Sequence, residues 1–361
     1  MKRGCLNEGK RVFLSVLFVV LIVTVSITFY YKSSLAAYAL EIQSTPGNIA
    51  SCQILDTPGT YVLNQSISNY VGTCFNITAD NVILDGNGHT IDGDDSGTDY
   101  GIDIIGRTNI TMKNFAGITD FYDGIYLHSS SNNILSNIIA NSNTDSGIYI
   151  LASSSYNILT NITANSNYDG ILTESSSNNN ILSNITINSN VEGIVLASSS
   201  NNILTNIAAN SNFGTIYLAS SSNNQFINGL ISNSLIYDSQ IFGSSLNNTF
   251  LNVSYDLSKE NVDANSQVIR KWYLDATVIN KDKKKKPKEG MAVKAYNVFG
   301  DLQFSALTNK KGKIPTQQVI EYVNNGGIRT SYNPYTLNVF NDRMGKDRIK
   351  SLQVNVTNNQ K

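Results

Sequence analysis

Between residues 101 and 255 the chain sets apolar and variable positions on a fixed beat. Gly-Ile recurs at Gly101, Gly124, Gly147, Gly170 and Gly193, always 23 residues apart, and Thr215-Ile216 continues the series at 22. Aligned as columns, Ile102, Ile125, Ile148, Ile171, Ile194 and Ile216 are never polar. Two residues on, Ile104, Leu127, Ile150, Thr173, Leu196 and Leu218 are apolar with one exception, while the position between them admits Asp103, Tyr126, Tyr149, Leu172, Val195 and Tyr217. Apolar, variable, apolar is the period of a strand with one buried face. A second strand follows in each repeat. Its inner column is Leu135, Leu159, Leu182, Leu204, Phe226 and Phe250; the neighbouring column beginning at Ile134 tolerates Gln225 and Thr249 and is expected to face out.

Asn137, Asn161, Asn184, Asn206, Asn228 and Asn252 hold one further column without exception. An invariant Asn at repeat spacing predicts an inward amide ladder, each side chain donating to the next at the spacing of adjacent strands. Such a ladder requires parallel, in-register coils. Each repeat buries its Ile face only against its neighbours, which is why the chain repeats at all. Ser and Asn between the strands favour turns over helix. The drift in repeat length from 22 to 24 excludes a hexapeptide solenoid. The expected fold is all-β: a right-handed, three-faced parallel β-helix with rungs of 22–24 residues.

The stretch "TPGTYVLNQSISNYVGTCFNITADNVILDGNGHTIDG", Thr57 to Gly93, and the Asn-Asn-x-Leu-x-Asn-Ile repeats after it resemble exported right-handed parallel β-helix proteins of the pectin-lyase-like superfamily, with NosD-type repeats. The resemblance runs from Cys52 to Tyr255. It implies the fold and leaves function open, because that superfamily holds lyases, hydrolases, epimerases, binders and structural proteins.

Outside the repeats the pattern divides the chain. Val12 to Tyr31 is uncharged and apolar behind Lys2, Arg3, Lys10 and Arg11, so residues 1–40 read as a transmembrane anchor or a signal helix, cleavable after Ala37-Tyr38-Ala39. An exported, extracellular, cell-surface location follows. Residues 41–80 are expected to cap the solenoid, with Cys52 and Cys74 joined as a disulfide outside the cell. Residues 81–258 form the β-helix. Residues 259–361 read as a linker and a small β-sandwich, with strands at Tyr273 to Val278, Met291 to Tyr296, Leu302 to Leu307, Tyr335 to Phe340 and Leu352 to Val356. This segment resembles immunoglobulin-like, carboxypeptidase-regulatory-like modules.

Charge follows the same division. Glu41 to Ile269 carries 3 basic and 19 acidic residues, and Arg270 to the end carries 18 basic and 7 acidic. The Lys run from Lys281 to Lys288 reads as a solvated loop, with a docking patch for an anionic polymer, lipid or the acidic solenoid as the alternative. The chain shows no nucleic-acid motif, zinc spacing or phosphate loop. Two His, His89 and His128, with Met112 are too few for a copper site.

Candidate chemistry lies on the solenoid. Tyr126, Tyr149 and Tyr217 share one outward column with Asp103, and the column just before each Gly holds Asp123, Ser146, Asp169 and Glu192. Tyr rings beside carboxylates can stack on sugars and bond their hydroxyls; the bland alternative is that Tyr suits strands. The expectation is a surface glycan or polysaccharide partner bound by Tyr126, Tyr149, Tyr217, Asp123, Asp169 and Glu192. The alternative is a lyase or glycoside hydrolase using Arg107, Asp103 and Asp123, and a third reading is a passive spacer. No cofactor is expected beyond calcium, for which Asp92, Asp94 and Asp95 offer oxygen ligands. Of eight glycosylation sequons, Asn64, Asn247 and Asn355 are expected to be occupied ahead of Asn161, Asn184 and Asn252, which the inward ladder would bury.

Overall fold

The computed structural model describes residues 44–280, 286–341 and 348–358. The N-terminal apolar segment, most of the Lys run and the extreme C-terminus lie outside the described residues. Among those described, no helix is long and apolar enough to cross a membrane.

The repeats form a parallel β-helix of about ten coils. Each coil gives one strand to each of two long sheets. In a central coil these are Asp169–Glu174 and Ile181–Asn188, which pair in parallel with Glu192–Ala197 and Ile203–Asn210 of the next. The Gly-Ile columns line the second sheet: Ile102, Ile125, Ile148, Ile171, Ile194 and Ile216 are all fully buried. Leu135 through Phe250 fill the core from the first sheet, and Phe226 and Phe250 meet edge to face, their centroids 4.9 Å apart. Coil pairing begins before the repeats, since Gly47–Ile49 and Gln53–Leu55 already pair in the two sheets. The Cys52–Cys74 disulfide ties these first coils together.

Four or five residues in each central coil take the left-handed backbone. In one coil they are Asn184, Ser189, Ser198 and Asn201, with φ of 56°, 58°, 50° and 61°. Asn tolerates this region better than other L-residues because its short amide can bond locally. That requirement explains much of the Asn content. The invariant Asn column is one of these bends, and it divides each first-sheet strand into two short segments.

The expected ladder exists, but it lies outside. Asn137 donates through Nδ2 to Asn114 at 3.0 Å, Asn161 to Asn137 at 2.9 Å, Asn184 to Asn161 at 2.9 Å and Asn206 to Asn184 at 2.9 Å. Asn137, Asn161 and Asn184 are exposed, so the inward placement is corrected: a left-handed bend in mid-strand turns the side chain to solvent. Each amide also bonds the preceding coil, not the following one. The argument that burial bars glycans from Asn161 and Asn184 falls with this; Asn64, Asn247 and Asn355 are exposed as well.

Other Asn and Ser residues form the inward ladders. Asn133, Asn157, Asn180, Asn202, Asn224 and Asn248 have no solvent exposure. Asn180 accepts the Asn157 N–H at 2.8 Å and donates to the carbonyls of Ser154 and Ser177 at 3.1 and 3.2 Å. A parallel series links Asn143, Asn167, Asn190 and Asn212. Backbone groups that leave the sheets at corners still need partners, and these amides supply them.

Coil pairing continues past residue 258. Glu260–Val262 extends the second sheet, and Gln267–Leu274 extends the first. Gln267–Leu274 then pairs antiparallel with Gln317–Asn325, which the sequence pattern does not mark as a strand, and that strand turns at Gly326-Gly327 into Ile328–Ser331. A four-stranded antiparallel sheet, ordered Leu302–Leu307, Ala292–Tyr296, Tyr335–Phe340 and Arg348–Val354, forms the other layer. Trp272, Leu274, Val293, Ala295, Val319 and Tyr335 are buried between the layers. The C-terminal segment is therefore two β layers, one continuous with the solenoid.

A buried polar cluster fixes this junction. Glu260 accepts hydrogen bonds from Tyr255, from Tyr322 at 2.6 Å, from Asn324 at 2.7 Å and from Arg329 at 2.8 Å. Arg270 stacks over Tyr255 and Trp272 at 4.5 and 5.0 Å and lies 3.4 Å from Glu321. A solenoid end would otherwise expose unpaired strand edges.

Candidate functional site

The outer surface of the second sheet can be laid out from its register. One column runs Tyr100, Asp123, Ser146, Asp169, Glu192, Gly214 and Tyr237. The next runs Asp103, Tyr126, Tyr149, Leu172, Val195, Tyr217 and Gln240. A third carries His128, Glu174 and Phe242.

Two aromatic clusters stand on this surface. In the first, Tyr100 stacks on Tyr126 with centroids 4.5 Å apart and planes 5° apart, and Tyr149 meets Tyr126 edge-on at 5.4 Å. Tyr149 donates to Glu174 on the next coil. In the second, Phe242 meets Tyr217 edge-on at 4.6 Å, and Tyr237 lies 6.4 Å from Tyr217. Tyr237 donates to Glu192 at 2.5 Å across the intervening coil. Between the clusters the middle column falls to Leu172 and Val195. The result is a trough spanning three coil steps, about 14 Å at the usual strand spacing.

The trough is acidic. Burial pushes the Asp123 carboxyl up to about 7, with the Ser146 N–H opposing and Asp145 adding to the rise. Burial and then the charges of Asp145, Glu192, Asp123 and Glu174 push Asp169 up to about 7. Burial also raises Glu192, against the Tyr237 hydrogen bond. Asp103 is raised by burial to about 6, with His128 opposing.

The structure gathers Tyr126, Tyr149, Tyr217, Asp103, Asp123, Asp169 and Glu192 onto this one surface. The Tyr column is not an unbroken strip, since Leu172 and Val195 interrupt it and Tyr100 takes one face of Tyr126. The residues beyond sequence reach are Tyr100, Glu174 and Tyr237. Tyr100 does precede Gly101, in the column of Asp123 and Asp169, and that position was its signal. Tyr237 had none, because Asp238-Ser239 replaces the Gly-Ile mark in its coil.

The catalytic candidates fare differently. Asp103 and Asp123 sit on one diagonal of a rectangle whose other diagonal is the stacked Tyr100–Tyr126 pair. The two carboxyls are buried, 7% and 1% exposed. Arg107 lies in the turn after Tyr100–Ile105, its N–H donating to Ser130 Oγ, and it pairs with no carboxylate among the described residues. Lys113 pairs with Asp85 at 3.2 Å on the first sheet, and Lys259 bonds the Ser234 carbonyl at 2.5 Å. Asp92 accepts from Thr119 Oγ1 and the Asn69 N–H, and Asp94 from Ser96. Among the described residues no three His, Cys, Asp or Glu side chains group to hold a metal ion.

Comparison with known proteins agrees with the coil architecture. Residues 70–231 match the family described as "Right handed beta helix region", and this part of the chain is a right-handed parallel β-helix. No curated protein sequence matches the chain. Among solved structures it is similar to the A-module of Azotobacter vinelandii mannuronan C-5 epimerase AlgE4, at 14% identity and a TM-score of 0.36, covering 60% of this chain and 75% of that one. It is also similar to the Dettilon tailspike protein, at 12% identity and 0.39, covering 80% and 72%. A mutant tailspike of E. coli bacteriophage HK620 in complex with a hexasaccharide gives 12% identity and 0.32, covering 77% and 83%. At these scores none of the three likenesses bears on a ligand for this chain.

Proposed function

We propose that the protein displays the outer surface of its second sheet outside the cell as a glycan-binding site. One observation carries the reading: two aromatic clusters three coils apart bracket an apolar floor edged by carboxylates. Aromatic faces stack on the apolar faces of sugar rings, and carboxylates accept from hydroxyls. A pocket with an apolar floor and a few convergent polar groups is the ordinary form of a small-ligand site. The apolar N-terminal run supports export, and the Cys52–Cys74 disulfide fits an oxidising compartment.

Binding is favoured over catalysis on two grounds. Asp103 and Asp123 are buried, 7% and 1% exposed, and so are poorly placed to flank a glycosidic oxygen from both sides. Among the described residues, no lysine or arginine belongs to the three columns of this surface, where a lyase base would stand. The test is retention of the full chain on a panel of neutral, acidic and amine-bearing polysaccharides. Retention that is lost on Tyr149→Ala with Tyr217→Ala supports the site. Retention unchanged in that variant moves binding elsewhere, shortened chains make the protein an enzyme, and no retention at all leaves it a spacer.

A further inference from the structure

Between the four-stranded sheet and the run that follows Leu274 lies a hollow of about 380 Å³. Ala276 and Val278 wall one side of it, and Val293, Leu337 and Val339 the other. The space follows from the pairing. Gln267–Leu274 pairs with Gln317–Asn325 as far as Leu274. Beyond it the run is held by single bonds: the Ala276 carbonyl accepts the Ile314 N–H at 3.1 Å, and the Val278 carbonyl the Lys288 N–H at 3.0 Å. So narrow a cover leaves Ala276, Val278 and Val339 only partly buried. Ile279 and Ile349, 43% and 48% exposed, carry the apolar wall out to solvent.

Two lysines line the same hollow, Lys288 and Lys350. Lys350 pairs with Val339, which pairs with Val293, and residues opposite one another in antiparallel strands share a face. Lys350 therefore rises from the apolar inner face of the sheet, and its exposure keeps the ammonium in water. Lys288 is fixed beside Val278 by its N–H, and its carbonyl accepts from Thr308 Oγ1 at 2.7 Å. Among the described residues neither ammonium pairs with a carboxylate; the ion pairs there belong to Lys113, Arg270 and Arg329. No acid lines this hollow. Asp275 lines an adjoining one of about 230 Å³ and is engaged by Thr316 Oγ1 at 2.6 Å. An inward lysine on an edge strand such as Arg348–Val354 also deters strand addition. That accounts for Lys350 but not for Lys288 or for the unfilled space.

We propose that the hollow binds a single-chain anionic amphiphile, with its apolar tail between Val278 and Val339 and its carboxylate head between Lys288 and Lys350. The site is separate from the trough and stands whether or not the trough binds a glycan. Its volume lies within the roughly 300–1,000 Å³ of ordinary small-ligand pockets. A cationic amphiphile would meet two like charges, and an uncharged one would leave both ammoniums unpaired. The tail enters between β strands, so the occupant is a free monomer and not a bilayer surface.

The experiment is acetylation of the lysines of the full chain with acetic anhydride, read residue by residue by mass spectrometry, in the presence of hexanoate, octanoate or decanoate. Decanoate is expected to slow acetylation of Lys288 and Lys350 severalfold and to leave the exposed Lys310 unchanged. The half-protecting concentration is expected to fall roughly fifteenfold for each two methylenes added. Lys350→Glu, at an exposed position, is expected to weaken protection of Lys288 roughly tenfold, and Val339→Phe to abolish it by filling the hollow. If Val339→Phe fails to fold, Lys350→Glu carries the test. Unchanged protection in Lys350→Glu overturns the proposal. So does protection that ignores tail length, or that decyltrimethylammonium gives equally well. No protection by decanoate overturns it and leaves Lys350 as a guard of the sheet edge. Protection by phosphatidylglycerol vesicles and not by decanoate overturns it in favour of a membrane surface.

Discussion

Tyr237 reaches Glu192 across an entire coil, its hydroxyl 2.5 Å from the carboxylate and 45 residues away in the chain. Gly214 makes this possible. A Cβ there would fall 2.3 Å from Tyr237 Cζ and 2.6 Å from Glu192 Oε2. The glycine serves close packing and not backbone freedom, and its absent side chain is the slot in which the ring lies.

Gly214→Ala therefore expels the ring and removes one wall of the trough. The expected loss is about 2 kcal/mol by urea unfolding, from overpacking and the broken hydrogen bond. Glycan retention falls in parallel. Gly193→Ala, which meets the Thr215 backbone and not an aromatic ring, destabilises without altering a trough side chain.

The two Asn ladders separate in energy. Asn180→Ala leaves the buried Asn157 N–H and the Ser154 carbonyl without partners, while the Ser177 carbonyl keeps Asn202, and is expected to cost about 3 kcal/mol. Asn184→Ala, at an exposed bend, gives up two solvent-facing hydrogen bonds and a left-handed preference, about 1 kcal/mol. Equal losses in denaturant titration would mean that both columns are buried alike.

Tyr156 occupies the bend that Asn179 and Asn201 fill in the next two coils, with φ of 60° and 59% exposure. A bulky residue is strained there and gains little from packing. Tyr156→Asn is expected to raise stability by about 1 kcal/mol, read as a higher urea midpoint at unchanged slope.

Acid pH protects the solenoid through Asp123 and Asp169. Their folded carboxyls, raised by burial to about 7, hold protons that the unfolded chain releases near its ordinary value. Their contribution is whole below about pH 4 and is lost as pH rises through about 7. The Tm should fall on the order of 5 °C from pH 5 to pH 8. Asp123→Asn with Asp169→Asn should flatten that fall.

The fold was readable because coil stacking imposes the same demand at every repeat, so Ile125 or Leu182 is one instance of a column. The side on which an Asn points was not. Asn133 and Asn137 recur equally often, and only the left-handed backbone at Asn137 turns it out. The site was half legible. Column residues such as Tyr149 and Asp169 stand out by repetition, whereas the Tyr100–Tyr126 stack is a diagonal contact between columns. Tyr237 is hidden by a coil that has lost its Gly-Ile signature.

The central claim, that the trough holds the ligand, is tested most directly by oxidative footprinting of tyrosines in the full chain with and without a polysaccharide that the chain retains. Protection of Tyr149 and Tyr217, with Tyr156 unchanged as the exposed control, is the predicted result. Protection of neither, with binding still present by titration, would place the ligand elsewhere on the protein and contradict the account.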